Sequence, residues 1–240
     1  MNNSIVNKFG INSFSLKIIA IVAMACNHIA HAFDGVLPIV IQAPLHVVGG
    51  LTFPIMAFLM IEGYHKTSNI KKYMLRLLIF GVLAIVPFFM VFKVGLLNIM
   101  FTFLFGLICL YLHDKIQRKP LFWLAFAGIT IATVFCDWPI VGVPMIVMFA
   151  LIKNQKLKVI LTCIVVSLAM TAIVLLSSAS TGAQLYMEIG FNIVVLGAIP
   201  LLFAYNGERG YSHRSMKYLF YIFYPVHLLV IGGIALLIQM

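Results

Sequence analysis

A chain of 240 residues that is 63% hydrophobic and 9% charged, with a mean hydropathy of +1.12, lies outside the range of soluble globular domains, which are near half apolar and a quarter charged. It reads as an integral membrane protein, and no stretch has the composition of a separate soluble domain, so residues 1–240 form one domain. In a soluble protein the formal net charge of +10 would suggest nucleic acid; in a membrane protein it reads as topology, because Lys and Arg collect on cytoplasmic loops, and no nucleic-acid partner is expected.

A spanning helix needs roughly 20 apolar residues. The first apolar run, 14–33, is too long for the core of a signal peptide and has no small-residue cleavage site behind it. Runs at 45–64, 73–92 and 96–112 follow, then two short ones at 121–136 and 138–152, interrupted by Asp137, Pro139 and Pro144. This short pair fits either tilted helices or a re-entrant element. Runs at 157–177, 185–205 and 217–239 bring the count to nine. The expected fold is an all-α polytopic bundle of about nine transmembrane helices, embedded among membrane lipids. Cys26, Cys109, Cys136 and Cys163 fall in or beside apolar runs without a CxxC pair, so they read as small packing residues rather than a disulfide or zinc framework.

The positive charges support the segment count. With nine spans and a cytoplasmic N-terminus, every Lys and Arg except Lys93 falls on the cytoplasmic side: Lys8 and Lys17, the 66–76 loop, the 115–119 loop, the 153–158 loop, and Arg209, Arg214 and Lys217. One missed helix would invert each later loop. The C-terminus is therefore expected outside, and the outer half of the first helix contains "MACNHIAHAF", with Asn27, His28, His31 and then Asp34 on the outer side.

Ionisable groups in hydrocarbon are expensive and mark function by default. His28, His31 and Asp34 are spaced three apart and share a helical face. Three readings stay open for the histidines: a neutral imidazole acting as general base, a nitrogen and oxygen ligand face for a metal, or side chains that only bond neighbouring helices. His227 follows Pro225 by two residues, so a carbonyl freed by the proline kink is a ready partner for it. The segment "EGYHKTSNIKKYMLR", Glu62 to Arg76, combines His65, Lys66, Lys71, Lys72 and Arg76 with the potential caps Thr67, Ser68 and Asn69. It reads as a phosphate site at a helix start or as an ordinary cytoplasmic loop. "YNGERGYSHR" adds Arg209 and Arg214 on the same side.

Taken with "LTFPIMAFLMIEGYHKTSNIKKYMLRLLIFGVLAIVPF", "LNIMFTFLFGLICLYL", "DWPIVGV" and "YLFYIFYPVHLLVI", these segments resemble the TraX family of membrane proteins, associated with N-terminal acetylation of pilin. The Glu-Gly-x-x-x-Thr loop and the C-terminal Tyr-Pro-x-His also look like features of wider membrane acyltransferase groups. The resemblance implies transfer of an acetyl or other short acyl group from cytoplasmic acyl-CoA (acetyl-CoA) to a peptide, glycan or lipid acceptor at the membrane or beyond it, with no metal. It implies His28 as base or acyl acceptor, with Asn98 and His227 as further catalytic positions, and Glu62, Thr67, Arg76, Arg209 and Tyr224 as cofactor-binding positions. The residues themselves add Lys71, Lys72 and Arg214 of the basic loops as phosphate-binding candidates, and Asn27 as a catalytic candidate able to bond a developing oxyanion. The family usually carries Asp-His at the opening motif, whereas this chain has Asn27 before His28. Asparagine orients an imidazole but does not stabilise an imidazolium as a carboxylate does. A proton-coupled transporter or flippase, and a metal-dependent intramembrane hydrolase, remain the alternative readings.

Overall fold

A computed structural model describes residues 10–177, 181–211 and 216–239. The described residues form helices joined by short connections. α1 is Ser13–Ala32. α2 (Ile39–Val48) runs through a single 3-10 turn, Gly49–Leu51, into α3 (Thr52–Lys66). α4 (Ile70–Leu83) and α5 (Ile85–Phe92) meet at Ala84, and α6 is Ile99–Lys115. α7 (Lys119–Ala132) and α8 (Gly142–Leu151) are the short pair. α9 is Gln155–Ser177, α10 (Gly182–Val194) leads into α11 (Ala198–Phe203), and α12 is Met216–Gln239.

Each of the nine apolar runs coincides with a helix or a helix pair among the described residues. Five of these units are long and apolar enough to cross a membrane: Ser13–Ala32, Ile39–Lys66, Gln155–Ser177, Gly182–Phe203 and Tyr218–Ile238. The α4–α5 pair, bent by 50°, makes a sixth. The second unit is longer than its apolar run suggests, because the helix already begins at Ile39 and absorbs Pro44. Large apolar side chains point outward along these helices, among them Val40, Leu124, Leu176 and Leu237. That distribution would be a liability in water and is the expected one in lipid, so the protein is a membrane protein.

Local chemistry explains where the helices start. Asn12, Asn69, Asn98 and Asn154 each accept a backbone N–H of the first turn that follows, at 2.9, 2.9, 3.1 and 3.0 Å. Each cap satisfies one of the backbone donors that a helix start leaves without an intrahelical partner. Two short backbone pairings tie the ends of the bundle. At one end Ile11 N–H donates to Ala204 at 2.8 Å and Asn206 N–H returns to Ile11 at 3.0 Å. At the other, Leu97 N–H donates to Phe135 at 2.8 Å and Asp137 N–H to Leu97 at 2.7 Å.

Helix packing in lipid lacks a hydrophobic driving force between helices and relies on close fit. The tightest fit surrounds the 3-10 turn. A Cβ on Gly49 would lie 2.5 Å from the Asn27 Cβ, and one on Gly50 would lie 2.3 Å from the Phe191 carbonyl oxygen. The turn is therefore clamped between α1 and α10. Gly50→Ala is expected to destabilise the protein by about 1–3 kcal/mol, the usual cost of overpacking, since the obstacle is backbone. A thermal unfolding series in detergent reads this as a lowered midpoint, whereas an unchanged midpoint would show that the clamp is loose.

Candidate functional site

The clamp places one end of α1 beside α2, α5, α10 and the loop 136–141, and these enclose a cavity of about 240 Å³. Asn27, His28, His31, His46, Asp137 and Glu188 supply its ionisable and amide lining, and Phe92, Trp138 and Phe191 its aromatic walls. Among the described residues no Lys or Arg lines it. Trp138 in its wall stacks on Phe53, and Phe53 on Phe103, with centroids at 4.4 and 5.1 Å. Trp138 and Ile140 hold positive φ values of 58° and 62°, an uncommon backbone state for bulky side chains. The loop keeps it because its polar groups are met: Thr102 Oγ1 donates to the Asp137 carbonyl, and Ile140 N–H donates to Thr133 Oγ1 at 3.3 Å.

His28 is 5% exposed and forms the most constrained contact at the site. Its Nδ1 lies 2.7 Å from His227 Nε2, and the other nitrogen of His227, Nδ1, lies 2.7 Å from the Phe223 carbonyl oxygen. A carbonyl only accepts, so His227 Nδ1 carries a proton. Neutral His227 then offers Nε2 as an acceptor, and His28 Nδ1–H must be the donor. The remaining nitrogen, His28 Nε2, is left with its lone pair, and no hydrogen bond engages it among the described residues. The carbonyl that orders this chain is that of Phe223, one turn before His227, rather than the Tyr221 carbonyl that Pro225 leaves without its helical donor. Phe92 stands edge-on to His28 at 5.2 Å, and the buried Tyr224 ring lies 6.4 Å away on the other side.

Asn27 does not orient His28. Its Nδ2 donates to the His46 carbonyl at 3.0 Å and lies 3.5 Å from His46 Nδ1. The position that departs from the family pattern thus serves a different imidazole, on α2. His46, missed as a candidate in the sequence although an intramembrane histidine is itself a signal, sits 3.8 Å from Glu188 through Nε2 and packs against the His31 ring at 4.9 Å. Asp137 was legible only as a break between short helices. Asn98 is fully buried but does not line the cavity: its Nδ2 donates to the Gly81 carbonyl at 2.8 Å and its Oδ1 caps α6. Among the described residues no group of three or more His, Cys, Asp and Glu side chains is arranged to hold a metal ion.

The loop residues gather at the opposite end of α3. Thr52 lines the first cavity, and Glu62, ten positions on, lines a second of about 680 Å³; at 1.5 Å per residue the two lie roughly 15 Å apart along the helix. His65, Lys66, Gln155, Lys158 and Tyr205 share this second cavity. Tyr205 donates to Glu62, and Lys66 lies 3.6 Å from the same carboxylate oxygen. Burial, and then the neighbouring carboxylate, push the Tyr205 phenol above its ordinary value. Thr67 ends α3, and Asn69 rather than Thr67 caps α4. Lys71 and Lys72 are exposed on the first turn of α4, and Arg209 is exposed on the loop after α11. Arg76 lies over the Tyr73 and Tyr221 rings at 5.4 and 5.8 Å. None of these four lines the second cavity. Arg214 lies outside the described residues.

Comparison with known proteins adds one family and one relative. The family model for the TraX protein matches residues 13–235. A probable fimbrial assembly protein FimC, serogroup H1, of Dichelobacter nodosus is 30% identical over 246 residues, covering 95% of this chain and 97% of that protein. No solved structure matches.

The His227 acceptor is testable by itself. Replacing His227 with Phe leaves the buried His28 Nδ1–H without a partner, a loss of about 1–3 kcal/mol, whereas Gln retains a side-chain acceptor. Unfolding in detergent should rank wild type above His227→Gln and His227→Gln above His227→Phe; equal stability of all three would mean the contact is not formed.

Proposed function

The chain belongs to the TraX family, and from that premise we propose that it is a membrane acyltransferase, moving an acetyl or other short acyl group from a cytoplasmic coenzyme A thioester to an amine or hydroxyl acceptor on the outer side. The proposal takes the bundle as nine spans with the N-terminus inside, so that the basic end faces the cytoplasm. The single observation that carries the reading is the ordered pair of imidazoles, which leaves His28 Nε2 as a free lone pair at a cavity wall. The relative's name concerns fimbrial assembly, which favours an exported protein subunit over a glycan or lipid as acceptor.

The donor's phosphates are assigned to the basic end, where Lys66 and Lys158 line the second cavity and Lys71, Lys72, Arg209 and Arg214 are close in sequence to its rim. Glu62 and Tyr205 hold one another there and shape the entrance. Arg76 braces α4 against α12 through Tyr221, and Thr67 fixes the turn between α3 and α4. The long, thin pantetheine arm follows α3 toward Thr52, and the thioester carbonyl meets the acceptor beside His28.

The chemistry follows from the tautomer. The acceptor's nitrogen or oxygen attacks the carbonyl carbon while His28 Nε2 takes its proton. The imidazolium that forms is shared through Nδ1–H with His227, whose own ring is anchored on the Phe223 carbonyl. A second histidine thereby fills the orienting role that a carboxylate has in many catalytic dyads. Collapse breaks the carbon–sulfur bond, and the thiolate recovers the proton from Nε2. Tyr224 walls the pair away from water.

Purified protein in detergent, given acetyl-CoA and a panel of peptides, amino sugars and lipids, is expected to release free thiol with no ion gradient. His28→Gln should lower the rate about 100-fold or more, the usual contribution of a positioned base, with its fold intact by size-exclusion chromatography. Thiol release no faster than buffer with every acceptor would overturn the reading in favour of transport.

A further inference from the structure

The acyl-transfer reading uses one imidazole pair and leaves a second ionisable pair in the same cavity without a task. His46 is 6% exposed, yet its Nε2 has no hydrogen-bond partner among the described residues. Glu188 Oε1 stands 3.8 Å away, too far for a direct hydrogen bond. Asn27 Nδ2, fixed as a donor by its bond to the His46 carbonyl, faces His46 Nδ1, so Nδ1 carries the lone pair and Nε2 carries the proton. A buried N–H donor and a carboxylate acceptor therefore both face the cavity with a gap between them.

The surroundings define what the gap accepts. His31 approaches His46 from α1 and the exposed Asp34 from the turn after it, Glu188 from α10, and Asp137 lines the same cavity from the loop before α8. With the imidazoles neutral, two carboxylates and, among the described residues, no cation line the space. A cationic group enters such a cavity with a favourable field, and a carboxylate or phosphate does not.

We propose that Glu188, which faces His46 across this gap, binds the acceptor as a protonated amine and removes its first proton, leaving His28 to remove the second. The proposal rests on the acyl-transfer reading and specifies its acceptor end. An ammonium nitrogen has no lone pair to attack with. One N–H bond breaks as its proton passes to the Glu188 carboxylate, giving the neutral amine. The amine attacks the thioester carbonyl, its second proton passes to His28 Nε2, the carbon–sulfur bond breaks, and the thiolate takes that proton from His28. The proton on Glu188 returns to water through the cavity mouth. One ammonium and one thioester thus give one amide, one thiol and one proton.

The test uses acetyl-CoA and two synthetic probes, a short peptide with a free α-amine and the same peptide with a hydroxyl in place of that amine. An α-amine titrates near pH 8, so at pH 6.5 it enters almost wholly as the ammonium. Glu188→Gln is expected to lower kcat/KM for the amine peptide tenfold or more at pH 6.5 and to approach the wild-type rate at pH 9, where the amine arrives neutral. With the hydroxyl peptide, which carries no ammonium proton, any loss should be smaller and the same at both values. His28→Gln should stay slow at every pH. If wild type transfers acetyl to the amine peptide but Glu188→Gln shows no loss at pH 6.5, or the same loss at pH 6.5 and 9, the Glu188 role fails while acyl transfer stands. If wild type transfers to neither probe and releases no thiol, both fall together. Equal loss of both variants' folded fraction on size exclusion would trace the defect to folding and also count against the assignment.

Discussion

A histidine ring buried between membrane helices has two nitrogens and no water to satisfy them, and the site depends on how this chain resolves that constraint. The Phe223 carbonyl fixes His227, and His227 fixes His28, through two contacts of 2.7 Å. Each link removes one tautomeric choice, so the last nitrogen in the chain, His28 Nε2, is left as the acceptor. The order runs from backbone to side chain to cavity, and it requires α1 and α12 to be held together although they are the first and last helices. The α5 segment, packed against both, and the ring contacts of Phe92 and Tyr224 with His28 serve that purpose.

The second consequence is separation. The basic loops and the carboxylate-lined cavity occupy opposite ends of α3, with Thr52 at one and Glu62 at the other. On the acyl-transfer proposal, positive charge at one end suits a phosphorylated donor and negative charge at the other a cationic acceptor, which gives the two separate entrances. The 3-10 turn at Gly49–Leu51 starts this helix, and the glycines there let α1 and α10 approach closely enough for Asn27 and Glu188 to reach His46.

Much of this was legible in the sequence because apolar run length, turn residues and asparagine caps act locally. The nine runs map onto helical units, and His28, His227 and Tyr224 were already singled out. Long-range pairing was not legible. That residue 27 faces His46 depends on the angle at which α1 meets α2, which no spacing encodes. His46 fell inside the run 45–64, but at its very start in "APLHVVGG" it read as an edge residue, and only the fold brings Asn27, His31 and Glu188 around it. Asp137 looked like punctuation because short helices break there, and only the folded loop brings it to the cavity wall. Asn98 read as a polar group available for chemistry, whereas its amide is spent on capping α6 and holding Gly81. Arg76, grouped with the loop lysines by sequence, turns inward to stack on Tyr73 and Tyr221.

The departure at Asn27 also takes a different meaning. In sequence it suggested a weakened catalytic histidine. In the fold it leaves the His28 chain untouched and alters the neighbour of His46, where asparagine holds a ring by donating to it and a carboxylate would accept instead. The central claim is the tautomer at His28. Nitrogen-15 spectra of histidine-labelled protein in lipid, with His28→Gln and His227→Gln for assignment, measure it directly. The account predicts neutral rings protonated at Nδ1 for both His28 and His227. A His28 ring protonated at Nε2, or an imidazolium at neutral pH, would contradict it.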